Sequence, residues 1–365
     1  MNSMGEIHDI KLILEDGTEL AGKSFGAPES VAGEVVFNTA MTGYPESLTD
    51  PSYEGQILVL TYPLVGNYGV PVSKEKGGIL KYYESDKIHI SGLVISDYSF
   101  DYSHWNAEGS LAEWLKQSKV PGIFGIDTRA LTKKLRENGT MLGKIVSNGK
   151  DIDWYDPNQD NLVAMVSTKK KEIYGTGKHK VLLVDCGVKN NIIRNFLERD
   201  VTVIRVPWDT DFTNEEYDGL FISNGPGDPK MCKQTIKQLE MAIKGDIPVF
   251  GICLGNQLLS LASGADTYKL KYGHRSHNQP VLKVGTNKAY ITSQNHGFAV
   301  DNATLGKDWE PLFININDQT NEGMKHKSKP IFSTQFHPEA SGGPTDTAFL
   351  FDEFIEKVKE HSLVK

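Results

Sequence analysis

An α/β protein of two unlike parts is predicted by three observations. From Lys180 onward, continuous apolar runs alternate with helical patterns, which is the signature of parallel strands covered by helices on both faces. Before residue 150, short β candidates are separated by Gly, Pro and Asp turns and accompanied by one clear helix. Between the two parts, 151–178 is polar, with Asp156-Pro157-Asn158 and the basic run Lys169-Lys170-Lys171. The expected fold is a doubly wound, mostly parallel sheet in residues 179–365, a β-rich α+β domain in residues 1–150, and a linker in residues 151–178.

In the first part, strands are expected at Lys11 to Leu14, Val35 to Asn38, Ile57 to Thr61, Ile90 to Ile95 and Lys144 to Val146. Its helix starts at an Asp127 or Thr128 N-cap, aligns Leu131 with Leu135 and stops at Gly139. In the second part, Val181 to Val184 is a strand, and Asn190 to Arg199 a helix with Ile192, Ile193, Phe196 and Leu197 on one face. Strands follow at Val201 to Val206 and Leu220 to Ser223, then a helix at Thr235 to Lys244 with Ile236, Leu239 and Ile243 aligned. Ile247 to Ile252 is the next strand, and Leu254, Leu258, Leu259 and Leu261 start a helix directly after it. Beyond Gly264 come short strands, Val281 to Val284, Tyr290 to Thr292, Leu312 to Ile316 and Ile331 to Ser333, and a closing amphipathic helix, Thr347 to Lys359. No internal repeat or low-complexity segment interrupts the pattern.

Composition narrows the function. The 365 residues carry a formal charge of −8, which disfavours nucleic acid or an anionic membrane as main partner. Hydrophobic content of 39% and charged content of 24% fit an ordinary globular chain. Three cysteines do not make a disulfide framework. No apolar run approaches the length of a membrane span. The start, Met-Asn-Ser-Met-Gly-Glu, has neither a secretory apolar core nor an Arg-rich transit pattern. Cytoplasm is the expected location.

The chemistry concentrates at Gly251-Ile252-Cys253-Leu254-Gly255-Asn256-Gln257. Strand, sharp turn and helix meet at a cysteine between glycines, the cysteine counterpart of a nucleophile elbow. The helix directs unpaired N–H groups at the sulfur and favours a thiolate. A buried core cysteine is the competing reading. A cysteine hydrolase also needs a histidine and a group to orient it, and Gln335-Phe336-His337-Pro338-Glu339 offers both roughly eighty residues on. In extended chain, residues two apart share a side, so Glu339 can reach the imidazole nitrogen that faces away from Cys253. A third element, Ser223-Asn224-Gly225-Pro226-Gly227-Asp228-Pro229, follows a strand and presents backbone N–H groups suited to a developing oxyanion. Cys253 and Gly225 both fall at carboxyl ends of strands, where doubly wound sheets bind ligands.

These three elements, in this order, resemble the class I glutamine amidotransferase domain. The first part adds Gly33-Glu34-Val35-Val36-Phe37-Asn38-Thr39, Met41-Thr42-Gly43-Tyr44, Leu48-Thr49-Asp50-Pro51-Ser52-Tyr53, Thr61-Tyr62-Pro63-Leu64-Val65-Gly66-Asn67 and Gly125-Ile126-Asp127-Thr128-Arg129. Together they resemble the small-subunit family of carbamoyl phosphate synthetases over nearly the whole chain. The resemblance implies glutamine hydrolysis by a Cys253–His337–Glu339 triad through a γ-glutamyl thioester. It further implies glutamine contacts at Ser52, Gly225, Gly227, Leu254, Gln257, Asn295, Gly297 and Phe298. Gly225→Val is expected to keep the fold and lose activity. Relatives often have histidine where this chain has Asn256, which leaves the polarity around the elbow open.

No Gly-rich phosphate loop with lysine occurs, so no cofactor is expected in this chain. By resemblance, ATP and magnesium belong to a large subunit that receives the ammonia and makes carbamoyl phosphate for pyrimidine and arginine synthesis. Cys186 and Cys232 read as packed residues and His296 as a loop residue. His274 and His277 lack a third ligand at useful spacing, so no metal is expected. Two other readings remain, a stand-alone γ-glutamyl cysteine hydrolase and a catalytically idle binding subunit.

Overall fold

The structure, a computed structural model, describes residues 7–364. Met1 to Glu6, read above only for targeting signals, lie outside the described residues. The chain divides into two compact units, one ending at Asp160 and interrupted by Glu75–Ile79, the other comprising Glu75–Ile79 and the chain from Asn161 onward.

In the first unit, seven strands among the described residues close into a barrel. They are β1 (Asp9–Leu14), β2 (Glu19–Ser24), β3 (Val31–Asn38), β4 (Gln56–Leu60), β5 (Gly92–Val94), β6 (Gly122–Phe124) and β7 (Met141–Ser147). Their order around the barrel is β1-β7-β3-β4-β5-β6-β2. In β1 the residues alternate, with Ile10, Leu12 and Leu14 buried and Asp9 and Lys11 exposed, as a barrel wall requires. Helix α1 (Leu111–Gln117) is one that the apolar pattern alone did not announce. Its start is N-capped by Ser110, whose Oγ accepts from the Glu113 N–H at 3.2 Å. Helix α2 (Thr128–Asn138) is capped by Asp127, which accepts from the Ala130 N–H at 2.8 Å. It ends at Gly139, whose φ of 101° suits glycine.

The expected linker is corrected by the structure. Its second half holds helix α3 (Leu162–Val166), with Leu162 and Val163 buried, and strand β8 (Glu172–Tyr174). Three strand residues are too few for a legible period. What fixes β8 is pairing and charge: it lies antiparallel to β10 (Val201–Pro207), and Arg205 of β10 bridges Glu172 and the buried Asp185.

The second unit is built on a sheet of ten strands among the described residues. Besides β8 and β10 it contains β9 (His179–Asp185), β11 (Gly219–Ile222), β12 (Val249–Ile252), β13 (Thr267–Lys283), β14 (Ala289–Val300), β15 (Trp309–Asn315), β16 (Asn321–His326) and β17 (Ile331–Thr334). The order is β8-β10-β9-β11-β12-β17-β16-β15-β13-β14. Strands β10, β9, β11, β12 and β17 run parallel; the rest pair antiparallel. Both faces of the parallel part are covered. In β9, Val181 and Leu183 enter an aromatic core with Phe196, Phe221, Phe250 and Phe351, while Leu182 and Val184 enter a second core with Leu239, Leu254 and Leu258. Helices α4 (Asn190–Leu197), α5 (Lys233–Ala242), α6 (Leu254–Ala262) and α7 (Phe349–Val364) supply these layers.

The short strands expected at Val281 to Val284 and Tyr290 to Thr292 are segments of one long antiparallel pair, β13 with β14. Register shifts between Lys269 and His274, and between Ser276 and Gln279, break the alternation that would have revealed it.

Candidate active site

Cys253 occupies the turn between β12 and α6 with φ 55° and ψ −105°. A positive φ is costly for a residue with a side chain. It is held there by its N–H, which donates to Thr334 O at 2.8 Å, and by its carbonyl, which accepts from the Asn256 and Gln257 N–H groups. The flanking glycines are packing requirements. A Cβ on Gly251 would lie 2.6 Å from Gly255 O, and one on Gly255 would lie 2.2 Å from Ile222 O. The thiol is buried and donates to Asn295 O at 3.6 Å.

Strand β17 leaves the sheet beside β12 and delivers His337, whose N–H donates to Ser293 O at 2.9 Å. His337 Nδ1–H donates to Glu339 Oε1 at 2.6 Å. A carboxylate only accepts, so this bond fixes the tautomer and leaves Nε2 as the working nitrogen. Nε2 is buried with no hydrogen-bond partner. Glu339 Oε1 also accepts from Lys189 Nζ at 3.0 Å, and Asn191 Nδ2 donates to the Glu339 carbonyl.

Burial alone would lower the His337 pKa, but the Glu339 carboxylate and the nearby Cys253 override it and raise it, against the opposing charge of Lys189. Burial would raise Glu339, yet Lys189 and His337 hold its carboxyl below the usual range. Cys186 and Cys232 differ in setting. Burial raises the Cys186 thiol well above its ordinary value and pushes Cys232 up to about 12. All three cysteines are outside disulfides.

The loop after β11 packs directly on the elbow. A Cβ on Gly225 would lie 2.0 Å from Cys186 O and 2.9 Å from Leu254 Cδ2. The expectation that Gly225→Val preserves the fold is therefore overturned: any side chain there meets backbone. Gly227 has φ 82°, a glycine conformation. Asn295, Gly297 and Phe298 lie inside β14, and so does His296, which is a strand residue and not the loop residue expected. Gln257 Nε2 donates to Phe298 O at 3.0 Å and to Gln335 Oε1 at 3.1 Å, so it ties α6 to both β14 and the residue after β17. Ser52 is buried in the first unit, in the turn Pro51–Tyr53, where its N–H donates to Asp50 Oδ1 at 2.9 Å.

Asn256 answers the question of its unusual identity. It is fully buried, donates to Gln335 Oε1 at 3.1 Å and accepts from Ser333 Oγ at 2.7 Å. Its side chain braces the back of the elbow.

Sequence reading missed Lys189. A lysine at the N-terminus of α4 opposes the helix dipole, and such a misplaced cation signals a carboxylate partner. That partner is 150 residues away in the chain, so no local spacing reveals it. His277 is partly buried, and this desolvation, with the charge of Lys189, lowers its pKa to about 4.

Residues 182–357 match the family described as glutamine amidotransferase class-I, and residues 12–145 match the CPSase domain of the carbamoyl-phosphate synthase small chain. The chain is 51% identical over 364 residues to the carbamoyl phosphate synthase arginine-specific small chain of Saccharomyces cerevisiae, covering 96% of this chain and 89% of that one. It is 52% identical over 354 residues to the mitochondrial carbamoyl-phosphate synthase [ammonia] of Mus musculus, covering 96% of this chain but 24% of that protein. The chain thus spans about a quarter of that longer relative. A solved glutamine amidotransferase from Thermotoga maritima matches 52% of this chain and 86% of its own, at 22% identity and a TM-score of 0.38. With both of its domains matched in order and half of its residues shared with a small chain of nearly its own length, the chain belongs to the carbamoyl-phosphate synthase small chain family.

Proposed function

We propose that the chain hydrolyses glutamine and passes the ammonia to a large carbamoyl phosphate synthetase subunit. The observation that carries the reading is the short His337–Glu339 bond beside a cysteine held at positive φ on an elbow. His337 Nε2 takes the thiol proton, and Cys253 Sγ attacks the side-chain amide carbon of glutamine. The oxyanion forms against the backbone N–H groups of Gly225 and Leu254; the latter opens α6 and has no intrahelical acceptor. His337 returns the proton to the leaving nitrogen, the C–N bond breaks, and ammonia departs from a γ-glutamyl thioester. Water then attacks the thioester while His337 takes its proton, the C–S bond breaks, and glutamate and the thiol are restored. Glu339 stabilises the imidazolium in both halves.

Gly225, Gly227, Leu254, Asn295, Gly297 and Phe298 supply glutamine contacts in this reading, and Gln257 holds Phe298 in place for them. The large subunit carries the ATP and magnesium chemistry, and the matched yeast relative is itself named a small chain. Three cysteines outside disulfides suit a reducing compartment, here the cytoplasm. Among the described residues, no helix is long and apolar enough to cross a membrane.

The test is covalent labelling with a glutamine-analogue electrophile, together with glutamate release. Cys253 is expected to be labelled, Cys186 and Cys232 spared, and His337→Asn to abolish glutamate release. Preferential labelling of either other cysteine, or undiminished release by the histidine variant, overturns the assignment.

A further inference from the structure

Behind the elbow, three side-chain amides and one hydroxyl join in a single buried row. Ser333 Oγ donates to Asn256 Oδ1 at 2.7 Å, Asn256 Nδ2 donates to Gln335 Oε1 at 3.1 Å, and Gln257 Nε2 donates to the same Gln335 oxygen at 3.1 Å. The row ends on the backbone, where Gln257 Nε2 also donates to Phe298 O at 3.0 Å. Asn256, Ser333 and Gln335 are fully buried, and Gln257 is nearly so.

One atom sets the polarity of the whole row. A backbone carbonyl only accepts, so the Gln257 atom facing Phe298 O is nitrogen. The same nitrogen faces Gln335, so the Gln335 atom there is oxygen, and the Asn256 atom facing that oxygen is again nitrogen. Turning any one of the three amides over would set two donors or two acceptors against each other. The orientation is costly for Gln335 itself. Its Nε2, pointed away from the row, is buried with no hydrogen-bond partner, a state that native structures avoid.

The consequence falls beside the thiol. Gln257 stands one helical turn beyond Cys253, on the same face of α6. Its partner Phe298 lies three residues after Asn295, whose carbonyl accepts from Cys253 Sγ. Both amide hydrogens of Gln257 are used by Phe298 and Gln335. What remains is Oε1, a pure acceptor to which no described residue donates. An amino-acid substrate offers that acceptor a partner at one end only, since an α-ammonium carries N–H donors and an α-carboxylate none.

We propose that Gln335, with Asn256 and Ser333 behind it, is a positioning residue for substrate selection: it locks the Gln257 amide with its oxygen free, and the site thereby selects amides that carry an α-ammonium. This rests on the glutamine-hydrolysis reading and on Gln257 as a contact of that substrate. Gln335 touches no substrate and acts only through Gln257. A histidine at position 256 serves the same end, because an imidazole N–H also donates to the Gln335 oxygen.

The test compares two γ-amides on the full chain: glutamine, and glutaramate, which has the same amide and carboxylate but no α-ammonium. Release of glutamate or glutarate gives kcat and KM, and iodoacetamide alkylation of Cys253 reports the thiol alone. Gln335→Met keeps the length and removes the acceptor. It is expected to raise the KM for glutamine by about 10–100-fold, the scale of one hydrogen bond to a charged group, with little change in kcat. Glutaramate hydrolysis and the alkylation rate are expected to stay near those of the parent chain, so the preference for glutamine collapses. Asn256→Asp, which sets a second acceptor against the Gln335 oxygen, is expected to do the same. Gln335→Glu and Asn256→His, which keep acceptor and donor in place, are expected to retain the preference. A folded Gln335→Met chain with the parent's preference overturns the proposal. So does an equal loss on both amides, which marks Gln335 as a packing residue only. Failure of the hydrolytic reading shows separately, as a parent chain that releases no glutamate and is not labelled at Cys253, and it takes this proposal with it.

Discussion

At the scale of single residues, His337, the proposed catalytic histidine, and its carboxylate partner Glu339 are coupled to a lysine as well as to the thiol. Glu339 is held below its ordinary value of 4.5 and His337 above its ordinary value of 6.5. The lowered carboxyl contributes stability above pH 4.5 that is lost as pH falls through its folded value. The raised imidazole contributes stability below pH 6.5 that is lost as pH rises through its folded value. Both contributions are present together between those two limits. Glu339→Gln is therefore expected to lose on the order of 3–5 kcal/mol there, the cost of breaking a buried pair. The loss should shrink on the alkaline side of pH 6.5 and on the acid side of pH 4.5. Urea unfolding of both proteins across pH checks this, and a gap that does not vary with pH would rule out the ion pair. The elbow at Cys253 and the pairing of His337 with Glu339 were legible in the sequence because an elbow and an i, i+2 relation are local. Lys189 was not, and neither was the job of Asn256, because Gln335 and Ser333 reach it across the sheet.

Elements explain why the site tolerates so little change. The β12–α6 elbow and the loop after β11 touch through glycines, with backbone oxygen where side chains would otherwise be. Gly255→Ala would place its Cβ 2.2 Å from Ile222 O, and Gly225→Ala 2.0 Å from Cys186 O. Each is expected to destabilise by about 1–3 kcal/mol or more through overpacking. Gly245→Ala is the control, since its nearest neighbour is 3.5 Å away; it should be close to neutral. The urea midpoints of the three variants decide the matter, and equal midpoints for Gly255→Ala and Gly245→Ala would refute the packing argument. The strands feeding the elbow were readable because both of their faces are apolar, as in Val181 to Val184 and Ile247 to Ile252. The long β13–β14 pair was not, because its register shifts interrupt the period and its buried face is polar, with His274, Gln294 and His296. Helix α1 was missed although Ser110 and Glu113 mark its start, since its seven residues hold only Leu111 and Leu115 as buried anchors.

For the whole molecule, the division into two parts was visible from the change of pattern, but the edges were not. Residues 161–178 join the second unit through α3 and β8, elements of five and three residues that are too short to show a period until Arg205 and the sheet edge are in view. The chain matches nearly all of a yeast small chain and a quarter of a longer mouse synthase. In the proposed function, ammonia released at Cys253 is consumed by a separate large subunit. This separates the proposed function from that of a stand-alone hydrolase. In a complex reconstituted with the large subunit, Cys253→Ser is expected to lower glutamine-dependent carbamoyl phosphate synthesis by on the order of 10³–10⁶, because a site built around a thiolate makes serine a poor nucleophile. Assembly should be unchanged, since one buried atom is replaced. Supplied with ammonium in place of glutamine, the same complex should make carbamoyl phosphate at the wild-type rate, because the large subunit's chemistry is untouched. Loss of both activities in an assembled complex would show that Cys253 does more than release ammonia, and retention of the glutamine-dependent rate would assign the attack to another residue.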